Sequence, residues 1–272
     1  MTLYLIGLGL YDEKDITLRG LEIVKKCDVV YLEYYTSVLG VDKAKLEELY
    51  GREVLVAPRD VVEKQAEELL IALAKDQDVA LLVVGDVFGA TTHADLLLRA
   101  KQADVPTKVI FNASIMNAIG ITGLELYKFG KTTSIVFPDA GWYPNTPYDV
   151  IKNNKSLGLH TLCLLDIKVA EPSKEDLLKA TPEALVKPQP PRFMKVSEAL
   201  DVLMHLENTA VEKIISEDSL VVGVARLGQP DMKMVAGTIK EIKELDFGAP
   251  LHSLIIPGKL HHIEEEMLER IR

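Results

Sequence analysis

The sequence contains very little cysteine. Only Cys27 and Cys163 occur among 272 residues, and they lie far apart. No cysteine–histidine spacing typical of a zinc site is present, and two isolated cysteines cannot form a disulfide framework. We interpret both as small buried apolar side chains in a reducing compartment, and we expect no metal.

Long apolar runs and a basic surplus are also missing. No apolar segment approaches the roughly 20 residues needed to span a bilayer, and residues 1–7 lack the charged start of a signal peptide. The net charge is -10, whereas proteins that bind a nucleic acid backbone usually carry excess positive charge. We therefore expect a cytoplasmic protein that binds neither nucleic acid nor membrane.

The first half of the chain alternates short apolar runs with helical patterns. Strands are predicted at residues 3–6, 29–32, 54–56, 79–84 and 108–111, and helices at 17–26, 43–50, 62–75 and from Thr92 onward. Strict alternation of this kind predicts a parallel α/β sheet. Thr92 and Asp95 have the spacing of a capping box at the start of the last of these helices.

The second half predicts a mixed sheet. Strands are expected at residues 134–137, 160–166, 220–227, 233–238 and 251–257, and helices at 114–122, 148–157, 197–206 and 261–271. The strands at 220–227 and 233–238 are close enough in sequence to pair antiparallel. Five prolines within residues 171–192 predict a long surface excursion. We place a domain boundary between residues 1–111 and 112–272.

Glycines follow the first predicted strand. Gly7 and Gly9 begin a dinucleotide-binding fingerprint, but its third glycine is replaced by Asp12. A carboxylate there would repel a pyrophosphate, so a nicotinamide site is disfavoured. Two alternatives stay open: a plain tight turn, or backbone contact with an uncharged or cationic ligand.

Polar residues follow two further strands. Asp86 comes directly after the buried strand at 79–84, and it is either a turn residue or a carboxylate suited to an ammonium group. Ser114 follows the strand at 108–111 and is by default a helix N-cap that could also contact a ligand. His93, at the first helical position, is interpreted as structural or solvent-facing, and His252 as satisfied by its own fold. No nucleophilic triad is visible.

Taken together, these segments resemble the diphthine synthase family, in its eukaryotic diphthine methyl ester synthase form. That family shares the fold of the tetrapyrrole methylases. No single segment is decisive, but their order and spacing are highly specific. The matching segments are residues 3–10, 15–17, 35–37, 85–86, 90–93, 112–118, 127–130, 160–168 and 250–253.

The resemblance implies a two-domain α/β fold that binds S-adenosylmethionine as methyl donor in the cleft between its domains. The implied donor contacts are Leu10, Asp86, Gly89, Ser114, Ile115, Leu165, Leu227 and His252. Two positions depart from the family: Val87 stands where a proline is usual, and Phe111 where a histidine is usual. Neither is an implied contact.

The implied substrate is translation elongation factor 2, on a histidine that carries an aminocarboxypropyl group. Four methyl transfers, a homodimer and the absence of a metal are implied as well. No catalytic residue is assigned, because an amine can lose its proton to solvent before it attacks a sulfonium. Lys168, Arg226 and Lys259 are candidates for the substrate carboxylate, and solvated charges are the alternative.

Three other functions stay open at this point. A methylase of a free tetrapyrrole would have the same fold. A nicotinamide oxidoreductase is disfavoured by Asp12. An interaction protein without activity would neither bind S-adenosylmethionine nor transfer a methyl group.

Overall fold

The computed structural model describes residues 1–33, 35, 37–139, 141–168 and 191–272. The chain forms two compact units. Unit 1 comprises Met1–Ile119 with Leu227–Pro230, and unit 2 comprises Gly120–Arg226 with Asp231–Arg272. The boundary at residues 111–112 stays a prediction. Across the described ranges, no helix is both long and apolar enough to cross a bilayer.

Unit 1 contains a five-stranded sheet in which every pair of neighbours is parallel. Its strands are β1 (Leu3–Gly7), β2 (Val29–Glu33), β3 (Leu55–Ala57), β4 (Val79–Val83) and β5 (Thr107–Ile110), in the order β3-β2-β4-β1-β5. All five residues of β4 are buried, as expected for a central strand covered on both faces. The parallel α/β prediction for this half is confirmed.

The helices of unit 1 follow the predicted order with one exception. They are α1 (Leu18–Val24), α2 (Lys43–Tyr50), α3 (Arg59–Glu63), α4 (Ala94–Gln102) and α5 (Ile115–Ala118). The single helix predicted at 62–75 is wrong, because α3 is followed by a π-helical turn, Glu67–Ile71, and a 3₁₀ turn, Leu73–Lys75. The buried face survives this change: Val62, Ala66, Leu70 and Ala74 are all buried. Periodicity predicted burial, but it did not predict the hydrogen-bonding pattern.

The predicted capping box at Thr92 is also wrong. His93 occupies the N-cap of α4, and it makes no side-chain cap hydrogen bond. The neighbouring Thr91 instead uses its hydroxyl to donate to the carbonyl of Val87 at 2.5 Å. Tertiary packing of the preceding loop therefore overrides the local capping preference at this helix start.

Unit 2 contains the mixed sheet. Its strands are β6 (Thr133–Ile135), β7 (Thr161–Leu165), β10 (Leu220–Ala225), β11 (Lys233–Thr238) and β12 (His252–Ile256), in the order β11-β10-β12-β7-β6. Only the β6–β7 pair is parallel among these described strands. The predicted antiparallel pairing of β10 with β11 and the mixed character of the sheet are confirmed.

The helices of unit 2 are α6 (Thr146–Ser156), α7 (Val196–Thr209), α8 (Ile239–Lys243) and α9 (His262–Glu269). The spacing of apolar residues in α7 explains why this segment is a helix. Ala199, Leu200, Leu203 and Leu206 lie at helical spacing and are buried against the sheet core. Each buried leucine contributes roughly 1.5–3 kcal/mol of transfer free energy. The short helix α8 was not predicted.

Most of the predicted excursion at 171–192 lies outside the described residues, at positions 171–190. Its last residue is structured, because β9 (Arg192–Phe193) pairs antiparallel with β8 (Ile167–Lys168). Both cysteines are buried and free, as predicted. Burial raises the pKa of Cys27 to about 11 and also raises the pKa of Cys163, so neither is an activated thiol.

Candidate active site

The carboxyl ends of β1 and β4 are joined by their glycine turns. Gly9 donates its N–H to the Gly85 carbonyl at 3.1 Å, and Gly85 donates back at 2.8 Å. Both glycines have φ of +84°, a conformation that a residue with a Cβ resists. The two turns therefore form one continuous surface at the edge of the sheet where ligands of open α/β proteins bind.

The approach of these turns depends on the absence of a side chain at Gly7. A Cβ at this position would lie 2.7 Å from the Gly85 carbonyl oxygen and 2.8 Å from the Cβ of Asn112. Backbone cannot move aside as a flexible side chain can, so any larger residue would separate the three strand ends. The glycine is needed for packing, and no phosphate contact is required to explain it.

Two polar residues that sequence reasoning did not assign hold this surface together. The Asn112 side-chain amide donates to the carbonyls of Gly7 and Asp15, at 2.9 Å each. The Asp15 carboxylate accepts from the backbone N–H groups of Leu10 and Tyr11, at 3.1 and 2.8 Å. Both residues lie in segments that carry the family resemblance. Their roles depend on contacts across the sheet, which local sequence does not reveal.

Asp86 links the turn after β4 to the end of β5. One carboxylate oxygen accepts from the backbone N–H of Phe88 and the other from that of Asn112, both at 2.9 Å. The interpretation as a turn residue is therefore supported. Each oxygen keeps a second lone pair, and the residue is only half-buried, so the carboxylate can still face a cationic group.

Gly89 and Ser114 lie against each other. A Cβ on Gly89 would lie 2.5 Å from the Ser114 hydroxyl oxygen, so the loop after β4 can pass there only as glycine. Ser114 caps α5: its hydroxyl accepts from the Met116 N–H, and Asn117 reaches back to its backbone. The predicted N-cap is confirmed, and it places Ile115 at the first helical position.

The segment after β10 returns to unit 1 and contacts the first turn. Gly228 has φ of +86°, and a Cβ there would lie 2.6 Å from the Cβ of Leu10. Its neighbour Leu227 is buried. Unit 1 therefore brings together six of the eight predicted contacts, namely Leu10, Asp86, Gly89, Ser114, Ile115 and Leu227.

The other two predicted contacts, Leu165 and His252, lie in unit 2 at adjacent strand ends. Leu164 of β7 pairs with Ser253 of β12, so the next residue outward on each strand, Leu165 and His252, is a neighbour across the ladder. Both side chains are buried. Unit 2 thus brings these two residues together within itself.

The His252 ring is used by its own unit. Its Nδ1 accepts from the Val196 N–H at 3.4 Å, and its Nε2 donates to the carbonyls of Gly248 and Ala249, at 3.2 and 3.1 Å. Burial lowers the pKa of His252, against the opposing effect of the two carbonyls. A neutral ring with both nitrogens engaged supports the interpretation of His252 as a structural histidine. Neither nitrogen is left to act as a base.

Arg226 is likewise engaged in unit 2. Its guanidinium donates to the Asp231 carboxylate at 2.6 Å, to the Asp231 carbonyl at 2.9 Å and to the Phe247 carbonyl at 2.7 Å, and it also donates to Ala249. With its donors committed to these partners, Arg226 is an anchor for two loops. The hypothesis that it receives a substrate carboxylate is not favoured.

Two of the three cations that were predicted as candidates for the substrate carboxylate remain, Lys168 and Lys259. The Lys168 ammonium lies 5.8 Å from the centre of the Phe137 ring. Lys259 is exposed. Neither has a structural role that excludes contact with a substrate.

The unit 1 surface combines backbone turns free of side chains, the half-buried Asp86 carboxylate and the apolar side chains of Leu10, Ile115 and Leu227. A carboxylate among apolar groups suits a ligand that has a cationic part and a flat or aliphatic part, and it does not suit a polyphosphate. S-adenosylmethionine has a sulfonium, an ammonium and an adenine, and it fits this combination of a carboxylate and apolar side chains.

The comparisons with known proteins agree with this chemistry. The family described as "Tetrapyrrole (Corrin/Porphyrin) Methylases" matches residues 2–243. The diphthine methyl ester synthase of Schizosaccharomyces pombe is 54% identical over 266 residues, which cover 97% of this chain and 92% of the relative. The Homo sapiens diphthine methyl ester synthase is 52% identical over 271 residues, covering 98% and 93%.

A solved structure titled "Crystal structure of diphthine synthase" has a TM-score of 0.84 and 34% identity, and the match covers 100% of this chain and 96% of that one. The chain belongs to the tetrapyrrole methylase family and is an S-adenosylmethionine-dependent methyltransferase. Within that family, its relatives are the diphthine methyl ester synthases of diphthamide biosynthesis. The family resemblance and the fold predicted from it are confirmed.

Proposed function

We propose that this methyltransferase acts on translation elongation factor 2 and methylates its aminocarboxypropyl-histidine to give diphthine methyl ester. The observation that carries the proposal is the identity of 52–54% with diphthine methyl ester synthases over nearly the whole chain. Four methyl groups are added, three to the amine and one to the carboxylate.

The proposed donor site consists of eight residues. Six in unit 1 support this assignment because they lie on one glycine-lined surface that carries the Asp86 carboxylate. The two in unit 2 support it through their position at adjacent strand ends. The set is Leu10, Asp86, Gly89, Ser114, Ile115, Leu165, Leu227 and His252.

The bound donor supplies an electrophilic methyl group on a positively charged sulfur. The chain has to orient the acceptor in line with the sulfur–carbon bond and to exclude water from the site. The amine attacks in its neutral form, and a new carbon–nitrogen bond replaces the sulfur–carbon bond, which leaves a neutral thioether. After each of the first two transfers the product ammonium loses a proton to solvent, and the third transfer gives a trimethylammonium group. The ionised carboxylate needs no deprotonation for the ester-forming transfer.

Mass spectrometry of the modified elongation factor tests the substrate and the number of methyl groups. Elongation factor 2 carrying the aminocarboxypropyl-histidine would be incubated with this protein and S-adenosylmethionine. Four added methyl groups are expected. Three added methyl groups would show that the product is not esterified. If no methyl group is added, the proposed substrate is wrong.

The role of Asp86 is tested by Asp86→Asn, which keeps the shape but removes the negative charge and replaces one of the two acceptor oxygens by an amide donor. We expect S-adenosylmethionine to bind about 10- to 100-fold more weakly, because a charge-assisted contact contributes on the order of 1.5–3 kcal/mol. Isothermal calorimetry measures this directly. Asp76→Asn, a change to another aspartate of unit 1 outside the proposed site, is the control. Unchanged affinity in Asp86→Asn would remove Asp86 from the site.

We also propose a cytosolic homodimer, as the family resemblance implies. Light scattering coupled to gel filtration would measure the mass of the assembly. A single species at about twice the chain mass of 30.1 kDa is expected, and a species at the chain mass would contradict the dimer.

A further inference from the structure

A histidine and a glutamate that the methyl-transfer chemistry does not use are buried against each other in unit 1. His93 and Glu33 have 1% and 0% of their side chains exposed, and the His93 Nε2 lies 3.6 Å from a Glu33 carboxylate oxygen. Glu33 ends β2, and His93 immediately precedes α4. Burial of such a pair is costly unless hydrogen bonds satisfy its polar atoms.

The other ring nitrogen shows what is held. The His93 Nδ1 lies 3.0 Å from the carbonyl oxygen of Val87. A carbonyl can only accept, so Nδ1 carries a hydrogen and donates it. Thr91 donates its hydroxyl to the same oxygen at 2.5 Å. Two side chains at the start of α4 therefore fix one fully buried peptide carbonyl in the preceding loop.

That loop also carries two of the proposed donor contacts. Val87 lies directly after Asp86 and two residues before Gly89. The Gly89 N–H donates to the Asp86 carbonyl at 3.1 Å, and the Phe88 N–H donates to the Asp86 carboxylate at 2.9 Å. Because these groups belong to one tight loop, a rotation of the Val87 peptide would move both contacts.

Glu33 lies on the other side of the ring. Because Nδ1 donates to Val87, the Nε2 side of His93 faces the Glu33 carboxylate, at 3.6 Å. Replacing the carboxylate by an amide gives Nε2 a donor instead, so Glu33→Gln preserves the ring orientation without a buried charge.

We infer that His93 is a positioning residue for donor binding, which acts through the Val87 carbonyl to hold Asp86 and Gly89 in place. This inference rests on the proposed donor site. If the inference is right, the affinity for S-adenosylmethionine depends on the hydrogen bond from the His93 Nδ1 to the Val87 carbonyl. A polar side chain at position 93 that cannot make this bond should not preserve the affinity.

Two substitutions of His93 separate these possibilities, both made in the Glu33→Gln background so that no carboxylate faces the altered side chain. In His93→Asn, the side-chain amide nitrogen occupies the place of Nδ1 and can donate to Val87. In His93→Gln, the amide reaches the place of Nε2 and can contact position 33, while the bond to Val87 is lost. The two variants have similar polarity, and asparagine leaves the larger gap, so lost packing alone would weaken His93→Asn more than His93→Gln.

Calorimetry with S-adenosylmethionine and thermal unfolding would be measured on the full chain. We expect His93→Asn to bind within about threefold of the Glu33→Gln parent and His93→Gln to bind about 10-fold more weakly, as for the loss of one buried hydrogen bond. Unfolding temperatures of the two should be similar. The KM for the donor should rise in His93→Gln, while kcat at saturating donor stays within about twofold.

Equal donor affinity in the two His93 variants would overturn the positioning role, and so would a loss of affinity that follows the unfolding temperature. Failure of the proposed donor site gives a different result. If Asp86→Asn does not alter donor binding while His93→Gln does, the loop is important but Asp86 is not its contact. If the unmodified chain binds no S-adenosylmethionine, both proposals are wrong.

Discussion

Both units bury a histidine against a glutamate, and the two pairs differ in the distance between the ring and the carboxylate. In unit 2, His160 donates from Nε2 to Glu264 at 2.9 Å and accepts from the Gly258 N–H at Nδ1, also at 2.9 Å. In unit 1, His93 faces Glu33 at 3.6 Å, beyond hydrogen-bonding distance.

Glu264 has several further donors. Glu264 also accepts from the backbone N–H groups of Glu125 and His261, at 3.0 and 2.8 Å, and from the Lys128 ammonium. It thereby joins α9 to the start of β7 and to the loop after α5. A buried carboxylate with this many donors stabilises a fold, whereas the longer contact between His93 and Glu33 lies beside the loop that carries the proposed donor contacts.

The largest effect is expected for Glu264→Ala. Its removal leaves four donors without their acceptor and should lower the free energy of unfolding by about 3–5 kcal/mol. Chemical denaturation followed by circular dichroism measures this. Glu265→Ala, at the exposed neighbouring position, should change stability by no more than about 0.5 kcal/mol. A similar small change in both would show that the unit 2 pair does not stabilise the fold.

A second, somewhat smaller effect is expected in acid. Burial by itself raises the pKa of Glu264, but its hydrogen bonds outweigh burial and lower the pKa from 4.5 to about 2. Because the folded-state pKa lies below the unfolded one, this carboxylate stabilises the fold above about pH 4.5. Its contribution is lost as pH falls from there through about 2, by about 3 kcal/mol in total.

His160 acts in the same direction at higher pH. Burial lowers the pKa of His160 below 6.5, although Glu264 opposes this. As pH falls below about 6.5 the unfolded chain therefore takes up this proton first, and stability declines. Denaturation curves between pH 7 and 2 should show both losses. The Glu264→Gln variant should have a flatter curve below pH 4.5, and an unchanged slope there would contradict the assignment.

The smallest effect is expected for Glu33→Gln. An amide at position 33 can donate to the Nε2 of His93, so stability should change by less than about 1 kcal/mol. The same change at Glu264 puts an amide group among converging donors and should be clearly more destabilising. Comparing the two variants by denaturation tests the contrast between the pairs directly. Equal losses would mean that both pairs serve stability alone.

Local sequence was sufficient for much of the fold. The buried run of β4, the antiparallel pairing of β10 with β11 and the cap at Ser114 were all predicted from residues close together in the chain. The failures at 62–75 and at Thr92 have one cause. In both places contacts outside the helix itself override a local preference, from Arg99 to the carbonyls of Val62 and Glu63 and from Thr91 to the carbonyl of Val87, and periodicity and capping rules do not include such contacts.

The candidate site was likewise predicted only in part from local sequence. Glycine turns and polar residues after buried strands indicated where a ligand would bind, and the matching segments indicated which family. Asn112 was missed because its amide bonds to the Gly7 carbonyl, which lies 105 residues away in the sequence. Arg226 was interpreted as a possible substrate contact because its engagement with the loop at 247–249 is visible only once the sheet is assembled.

The sequence by itself determined the apolar pattern, the strand and helix order and the segments that define a methyltransferase family, because these depend on residue type and spacing. The tertiary structure decided which polar groups are used up by the fold and which are left for a ligand. It brought Glu33 to His93 through the parallel pairing of β2 with β4, and it placed Asp15 and Asn112 beneath the glycine turns. Contacts of this kind depend on distances between remote residues, and no local pattern encodes them.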